Sequence, residues 1–297
     1  MKGDRQVCQQ YYSQKLQEKQ LPTIWKVPDA MWKEIHTFPL GEKRAGTPGR
    51  PAIPARRVFD GVLYVLRTGC QWKVAPKEYG SGSTLHRRFQ QWVEGKVMDA
   101  IMEKMLSWYD KAIGIDWQWQ SIDTKLIPAP LGGEQAGPNP TDRGKCGTKT
   151  HLLNDGNGAP LAFLLTGANR HDMKGIPELI GEGFLILRQR LALDRPQHLC
   201  LDKAYDAPEI DEFLQIQGYI LHTKRKGEKA PVVGIGETVY PARRWKVERT
   251  ISWLNNMRKL RIRLGKKGLQ LSSTLAFSRC SHCLSAHSFG IGSKWPT

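Results

Sequence analysis

The chain contains no apolar stretch long enough to span a bilayer, and its first twenty residues, "MKGDRQVCQQYYSQKLQEKQ", lack the apolar core of a secretion signal. Both absences predict a cytoplasmic protein. Cysteine is scarce and scattered (Cys8, Cys70, Cys146, Cys200, Cys280 and Cys283), which in that compartment means free thiols rather than a disulfide frame. "CSHC" at Cys280–Cys283, with His282 and His287 nearby, has the spacing of half a zinc site, but no second CxxC completes it. There is no P-loop "GxxxxGK[ST]", no "HExxH" and no visible Ser/His/Asp arrangement, so the common nucleotide-binding, zinc-protease and acyl-transfer signatures are missing. Repeats and low-complexity tracts are also absent. The main shortage is of acid: 28 Asp and Glu stand against 45 Lys and Arg, a formal charge of +17.

What is present begins with size and charge. With 297 residues, 40% of them hydrophobic and ten of them tryptophan, the chain can bury a substantial core. A surplus of +17 is compatible with a merely soluble basic protein or with a polyanionic partner. Its distribution favours the partner. Between Thr223 and Gly268 fourteen lysines and arginines face three glutamates, so +11 of the +17 lies in one short stretch.

Helical spacing dominates the first 115 residues. A Pro/Gly/basic linker, Gly41–Arg57, precedes Val58, Val62, Val65 and Leu66, with Gly69 as the stop. Ser83 or Thr84 is predicted to cap a second helix that buries Leu85, Phe89, Trp92 and Val93 and turns His86, Arg87 and Arg88 outward. Ile101, Met105, Trp108 and Tyr109 mark a third. About a dozen residues separate the first two helices, too many for a strict helix-turn-helix. The region reads either as a DNA-contacting helical domain or as a structural cap.

From Trp117 the pattern becomes strand-like: "WQWQSIDTKLI", "KTHLLND", "PLAFLLT", "HLCLD" and "YILHT", with "DGNGAP" (Asp155–Pro160) as a hairpin turn. Helices are predicted over Ile176–Leu191 and Pro208–Gln217. The order of three strands, helix, strand, helix, strand, helix predicts an α/β domain with a mixed sheet.

Three carboxylates carry the chemistry. Asp123 lies in "SIDTK" and is either a partnered site residue or an ordinary edge aspartate. Asp202 ends "HLCLD", where a strand tip opens onto the crevice of an open α/β sheet; Asp206 reads equally well as a helix cap, so Asp202 is preferred. Glu248 shares a polar helical stripe with Arg244, Ser252, Asn255 and Lys259, beside a buried stripe of Val247, Ile251 and Leu254. It is either a surface ion pair of little worth or a metal ligand. Hard divalent cations take oxygen ligands, and two metal ions shared by carboxylates suit in-line displacement at phosphorus without a nucleophilic side chain.

Read together, "DGVLYVLRTGCQWKVAPKEYGSGSTLHRRFQQW", "SIDTK", "RGKCGTKTHLLNDGNGAPLAFLLTGANRHD", "LDKAYD" and "VERTISWLNNMRKLRIR" resemble the DDE transposases of bacterial insertion sequences, over roughly Leu21–Arg263. The resemblance implies an RNase H-like mixed sheet flanked by helices, preceded by a mainly helical DNA-binding domain. It divides the chain into residues 1–115, 116–264 and an atypical tail, 265–297. It implies that Asp123, Asp202 and Glu248 are the catalytic triad and bind Mg2+ (or Mn2+). It also implies a nucleoid-associated enzyme that cuts terminal inverted repeats, joins them to target DNA and acts as a homodimer. Lys149, Lys203, Arg244, Arg249, Lys259, Arg87 and Arg88 become candidate DNA contacts, and His151, His171 and Asp172 candidate supports of the site; His171 reads equally as a cap. An inactive DNA-binding copy and an RNase H-like nuclease without strand transfer are the alternatives.

Two departures stand out. Asn255 occupies the place where a related class carries lysine, leaving Arg258 or Lys259 to supply the charge. After Arg263 the aromatic, acid and apolar helix of the family give way to "RLGKKGLQLSSTLAFSRCSHC", where helical periodicity is predicted to vanish. This reads as a frameshift near Leu264–Lys267, which would deprive the core of its closing helix. The coding DNA decides it: a neighbouring frame without an apolar helix ends the idea.

Overall fold

The computed structural model describes residues 26–27, 29–41, 48–49, 51–187, 197–205, 207–223, 233–235, 238–240, 245–268 and 270–276. The first region is helical, with α1 (Asp29–Ile35), α2 (Ala55–Thr68), α3 (Gly82–Glu94) and α4 (Val97–Ala112). α2 buries Val58, Val62, Val65 and Leu66 as their spacing predicts, and it stops where Gly69 turns left-handed (φ 72°) and its N–H bonds the carbonyl of Val65. A side chain there would strain the backbone and would also meet Cβ of Arg258 at 2.9 Å. The cap of α3 is Ser81, whose hydroxyl accepts from the Thr84 amide at 3.2 Å. Ser83 and Thr84, predicted for that place, already lie in the first turn. Phe59 links the bundle, with ring centroids 6.0 Å from Trp32 and 5.5 Å from Trp92.

The sheet follows: β1 (Trp119–Pro128), β2 (Gly137–Pro138), β3 (Cys146–Asp155), β4 (Pro160–Gly167), α5 (Ile176–Leu187), β5 (Gln197–Leu201), α6 (Pro208–Ile216) and β6 (Tyr219–Thr223). Strands run in the order β2-β3-β1-β5-β6, with β4 on the outer side of β3. β1, β3 and β4 are antiparallel, whereas β5 and β6 join in parallel through their helical crossovers. This is the mixed α/β layout predicted above. The predicted hairpin joins β3 to β4, held by buried Asp155, whose carboxylate accepts from the amides of Asn157 and Ala159 at 3.0 and 2.6 Å. Two elements are new: the two-residue β2 and a separate hairpin, β7 (Val233–Ile235) with β8 (Thr238–Tyr240).

α7 (Trp245–Leu254) leads into a 3-10 turn, Arg258–Leu260, and residues 270–276 are helical again. Leu271, Leu275 and Ala276 are buried, so helical order continues past the point where it was predicted to end. One hydrophobic core runs unbroken from Val27 in the helical region through the sheet to Ala276. Cys280–Cys283, His282 and His287 lie outside the described residues. Cys70, Cys146 and Cys200 are free thiols.

Candidate active site

Strand register sets the position of two of the three acids. β1 and β5 pair in parallel with Ser121 opposite Cys200. Two residues farther along each chain stand Asp123 and Asp202, the latter just past the end of β5. Neighbouring strands lie roughly 4.8 Å apart, so the two aspartates occupy adjacent positions, Asp123 midway along β1 and Asp202 just past the end of β5. Both are half-buried. Asp123 accepts from the Thr124 amide at 2.7 Å, and the carbonyl of Asp202 accepts from the Tyr205 amide at 3.0 Å.

Glu248 is placed differently. Lys125, on the same face of β1 as Asp123, donates its Nζ to the carbonyl of Leu260 at 3.0 Å, so α7 and its extension cover that face. The first turns of α7 are tied to the β3–β4 hairpin: Arg249 Nη2 donates to the Asn157 carbonyl (2.8 Å) and Thr250 Oγ1 to the Gly158 carbonyl (2.7 Å). Glu248 is exposed at that hairpin end, whereas Asp123 lies farther along β1, opposite Leu152 of β3. Among the described residues no three His, Cys, Asp or Glu side chains gather to hold a metal ion.

The opposite face of β1 carries a buried polar network. The hydroxyls of Thr124 and Tyr205 are 2.5 Å apart, Thr124 Oγ1 is 3.3 Å from His151 Nδ1, and His151 Nε2 is 2.9 Å from Thr166 Oγ1. Burial pushes the His151 imidazole down to about 4, so it is neutral near pH 7. Its ring packs against Gly175, where any Cβ would come within about 3 Å of it. Burial above all, and after the opposing Thr124 hydrogen bond the charges of Asp172, Asp123 and Asp202, hold the Tyr205 hydroxyl protonated. Asp172 is paired with Lys149 (Oδ1–Nζ 2.8 Å), whose ammonium also donates to the Arg170 carbonyl at 2.8 Å. Buried Lys125, beside Arg261, is pushed down to about 8 by desolvation first and by that guanidinium second.

The remaining predicted residues disperse. His171 is exposed and precedes the 3-10 turn Asp172–Gly175 without a side-chain cap bond. Arg87 is exposed on α3, while Arg88 donates to the Leu40 carbonyl at 3.2 Å. Both line a groove of about 1130 Å³ that also holds Lys73 and Lys77. Lys259 is half-buried, its pKa lowered by desolvation, and it lines a 260 Å³ pocket with Trp72, His86 and Leu271. Arg258 is exposed, and the carbonyl of Asn255 accepts from Arg261 Nε at 2.7 Å. Arg244, Asp206 and the side chain of Lys203 fall outside the described residues. Thr124, Thr166 and Tyr205 had no role in the sequence reading. Tyr205 in "LDKAYD" reads there as an ordinary apolar aromatic, and only its place three residues after Asp202 was a signal.

Comparison with known proteins identifies a family. Residues 27–102 match the family described as "Putative transposase of IS4/5 family (DUF4096)", and residues 120–271 match "Transposase DDE domain". The chain is 36% identical over 154 residues to the "Putative transposase for insertion sequence element IS402" of Burkholderia cepacia, across 51% of this chain and 70% of that protein. It is 32% identical over 118 residues to the 16.2 kDa uncharacterized protein of the same element, across 38% of this chain and 80% of that one. A piggyBac transposase synaptic complex with hairpin DNA aligns at TM-score 0.42 and 11% identity, across 89% of this chain and 73% of that one. The Mos1 strand transfer complex aligns at 0.34 and 10% identity, across 86% and 82%. Those two structural likenesses are too loose to carry an argument.

Proposed function

This chain belongs to the DDE-domain transposases, and from that premise we propose that it cuts DNA at the ends of its insertion sequence and joins them to a target. The observation that carries the proposal is the side-by-side arrangement of Asp123, midway along β1, and Asp202, just past the end of the parallel β5. Magnesium sites for phosphoryl chemistry use one or two carboxylates and leave the remaining positions to water and substrate phosphate, so this pair of hard oxygen donors fits Mg2+ (or Mn2+). Bound there, the metal supplies Lewis acidity at phosphorus. Glu248, exposed on α7, is the third proposed ligand.

The chain's own groups bind and orient. Asp123 and Asp202 hold the reacting phosphodiester's side of the sheet at negative potential, while the cations of α3 and of residues 258–267 take the flanking phosphates. In cleavage, water adds to phosphorus and the 3′-oxygen leaves with a proton. In joining, that 3′-hydroxyl attacks a target phosphodiester, whose own 3′-oxygen departs. Arg87, Arg88, Lys149, Lys203, Arg244, Arg249 and Lys259 are proposed DNA contacts, with His151, His171 and Asp172 as support. Arg87 is the most open of those described, whereas Lys149, Arg249 and Arg88 would have to exchange bonds they already make. Two element ends to be paired imply a homodimer on DNA, acting in the cytoplasm. Among the described residues no helix is long and apolar enough to cross a membrane.

The deciding experiment incubates purified protein with a labelled terminal duplex and Mg2+, Mn2+ or EDTA. Metal-dependent nicking followed by joined products is the expected result. Nicking without joining makes it a nuclease. Binding without nicking makes it an inactive DNA-binding copy.

A further inference from the structure

We infer that Tyr205 and Thr124 are positioning residues: a strut behind the sheet that fixes the spacing of the two aspartates and thereby sets the affinity of the site for its divalent cation. The inference rests on the carboxylate-pair reading above. It is carried by a continuous path of bonds between the two acids. The Thr124 amide donates to Asp123 Oδ1 (2.7 Å), the Thr124 and Tyr205 hydroxyls meet at 2.5 Å, and the Tyr205 amide donates to the carbonyl of Asp202 (3.0 Å). Each end of the strut therefore grips one aspartate, one by its carboxylate and the other by its backbone.

The path matters because β-pairing alone leaves Asp202 loosely determined. β5 ends at Leu201, and the pairing of β1 with β5 runs from Trp119–His198 and stops at Ser121–Cys200, so Asp202 lies past its last pair. What fixes it is the 3-10 turn Lys203–Tyr205, and what fixes that turn to β1 is the Tyr205 hydroxyl. Tyr205 is 1% exposed, so the bond is shielded from competing water. The network also accounts for the orientation of Thr124. A hydroxyl has one hydrogen and two lone pairs, so it can accept from Tyr205 and donate to His151 Nδ1, leaving Nε2–H to donate to Thr166. Neither hydroxyl lies on the Asp123 face of β1, since successive strand residues point to opposite faces. The strut acts on the metal only through the aspartates.

Groups of this kind typically change metal affinity by about 10- to 100-fold when removed. The test is Mn2+ binding to the intact protein without DNA, followed by the loss of the free-ion EPR signal, alongside cleavage as a function of Mg2+. Tyr205→Phe and Thr124→Val should each weaken Mn2+ binding about tenfold, and the double variant should be no worse than either single one, because both break the same bond. Thr124→Ser, which keeps the hydroxyl, should restore it. Cleavage should need about tenfold more Mg2+ while recovering near its usual rate at saturation. A merely structural role would lower the melting temperature and the saturated rate and leave the Mn2+ affinity unmoved, which would overturn the inference. Asp123→Asn and Asp202→Asn are the controls. If they bind Mn2+ as the parent does, or if the parent binds none that depends on them, the carboxylate-pair reading fails first and the strut fails with it.

Discussion

The strand segments beside Asp123 and Asp202 and the helix that carries Glu248 are held by different kinds of contact. Asp123 sits within paired β1, whereas Asp202 lies just past the end of β5 and is braced from behind by Tyr205 and Thr124. A one-residue slip of β1 would turn every one of its side chains to the wrong face, so strand register fixes Asp123 and the brace fixes Asp202. α7 is a ten-residue helix anchored by Arg249 and Thr250 to a hairpin and, beyond its C-terminus, by Leu260 to Lys125. α7 also buries Val247 and Leu254, so its anchoring combines apolar packing with two side-chain hydrogen bonds of about 1 kcal/mol each. The difference teaches that one site can draw its acids both from strand register and from a packed helix.

The sharpest way to break this comparison is at the acids themselves. Asp123→Asn and Asp202→Asn should each cut cleavage of an end duplex by roughly a thousandfold or more while DNA binding is kept. Glu248→Gln should do the same if the helix delivers its carboxylate. Near-normal cleavage by that variant would remove Glu248 from the site and leave a two-carboxylate enzyme. EDTA should abolish the reaction and added Mg2+ should restore it.

The next test concerns the sheet half. His198 and His222 stack with Trp119 in the sheet interior, their ring nitrogens 2.9 Å apart, and burial first, then the neighbouring His198, lowers His222 to about 4. In the unfolded chain the same imidazole titrates near 6.5. The unfolded state therefore binds more protons between those values, so this stabilisation is present above pH 6.5 and is lost as the pH falls towards 4. Buried His151 acts in the same sense, whereas Asp155, raised to about 7 by burial, weakens the fold as the pH climbs from about 4 towards 7. Urea unfolding from pH 7 to 4 should show His222→Gln losing about 2 kcal/mol of the acid dependence. An unchanged acid limb would mean the pair is not the sensor.

Smaller effects sharpen the helical half. Arg249→Ala and Thr250→Val should each lower the unfolding free energy by about 1 kcal/mol, measured by urea denaturation. Cleavage by Thr250→Val at saturating metal should hold, since its bond does not touch the aspartates or the proposed DNA contacts. A loss of activity in step with Glu248→Gln would show that the tether itself keeps the glutamate useful. Smallest of all, Arg87→Ala should weaken binding of any DNA sequence to a similar degree and reduce the slope of log affinity against log salt by about one.

The sequence made the local devices legible and left the long-range ones hidden. Gly69 as a helix stop and the Asp155–Pro160 hairpin are short-range chemistry, readable from a few residues. So was the placement of Asp202 at a strand tip. Helical order at 270–276 was also present in the spacing of Leu271 and Leu275, but the run of serines and threonine around them masked it. Ser273 and Thr274 are buried, and Thr274 returns its hydroxyl to the Gln270 carbonyl at 2.7 Å, which lets a polar residue sit inside a helix. The bond from Arg249 to the Asn157 carbonyl was hidden because its partner is 92 residues earlier. Tyr205 was silent because only the fold brings its hydroxyl to Thr124, 81 residues away.

The hydrophobic interior that passes without a seam from α1 and α2 into the sheet has a consequence for how such chains diversify. A DNA-reading module on a flexible tether can be exchanged like a tool head. Here Gly69 touches Arg258 so closely that a methyl group has no room, and the pocket lined by Trp72 and Lys259 lies across the same joint. A chimera carrying another protein's helices would inherit half of that joint and lose the fit. On the proposed reading of α3 as a DNA-contacting helix, new end specificity would come from substitutions on its outer surface, or from replacing both sides of the joint together.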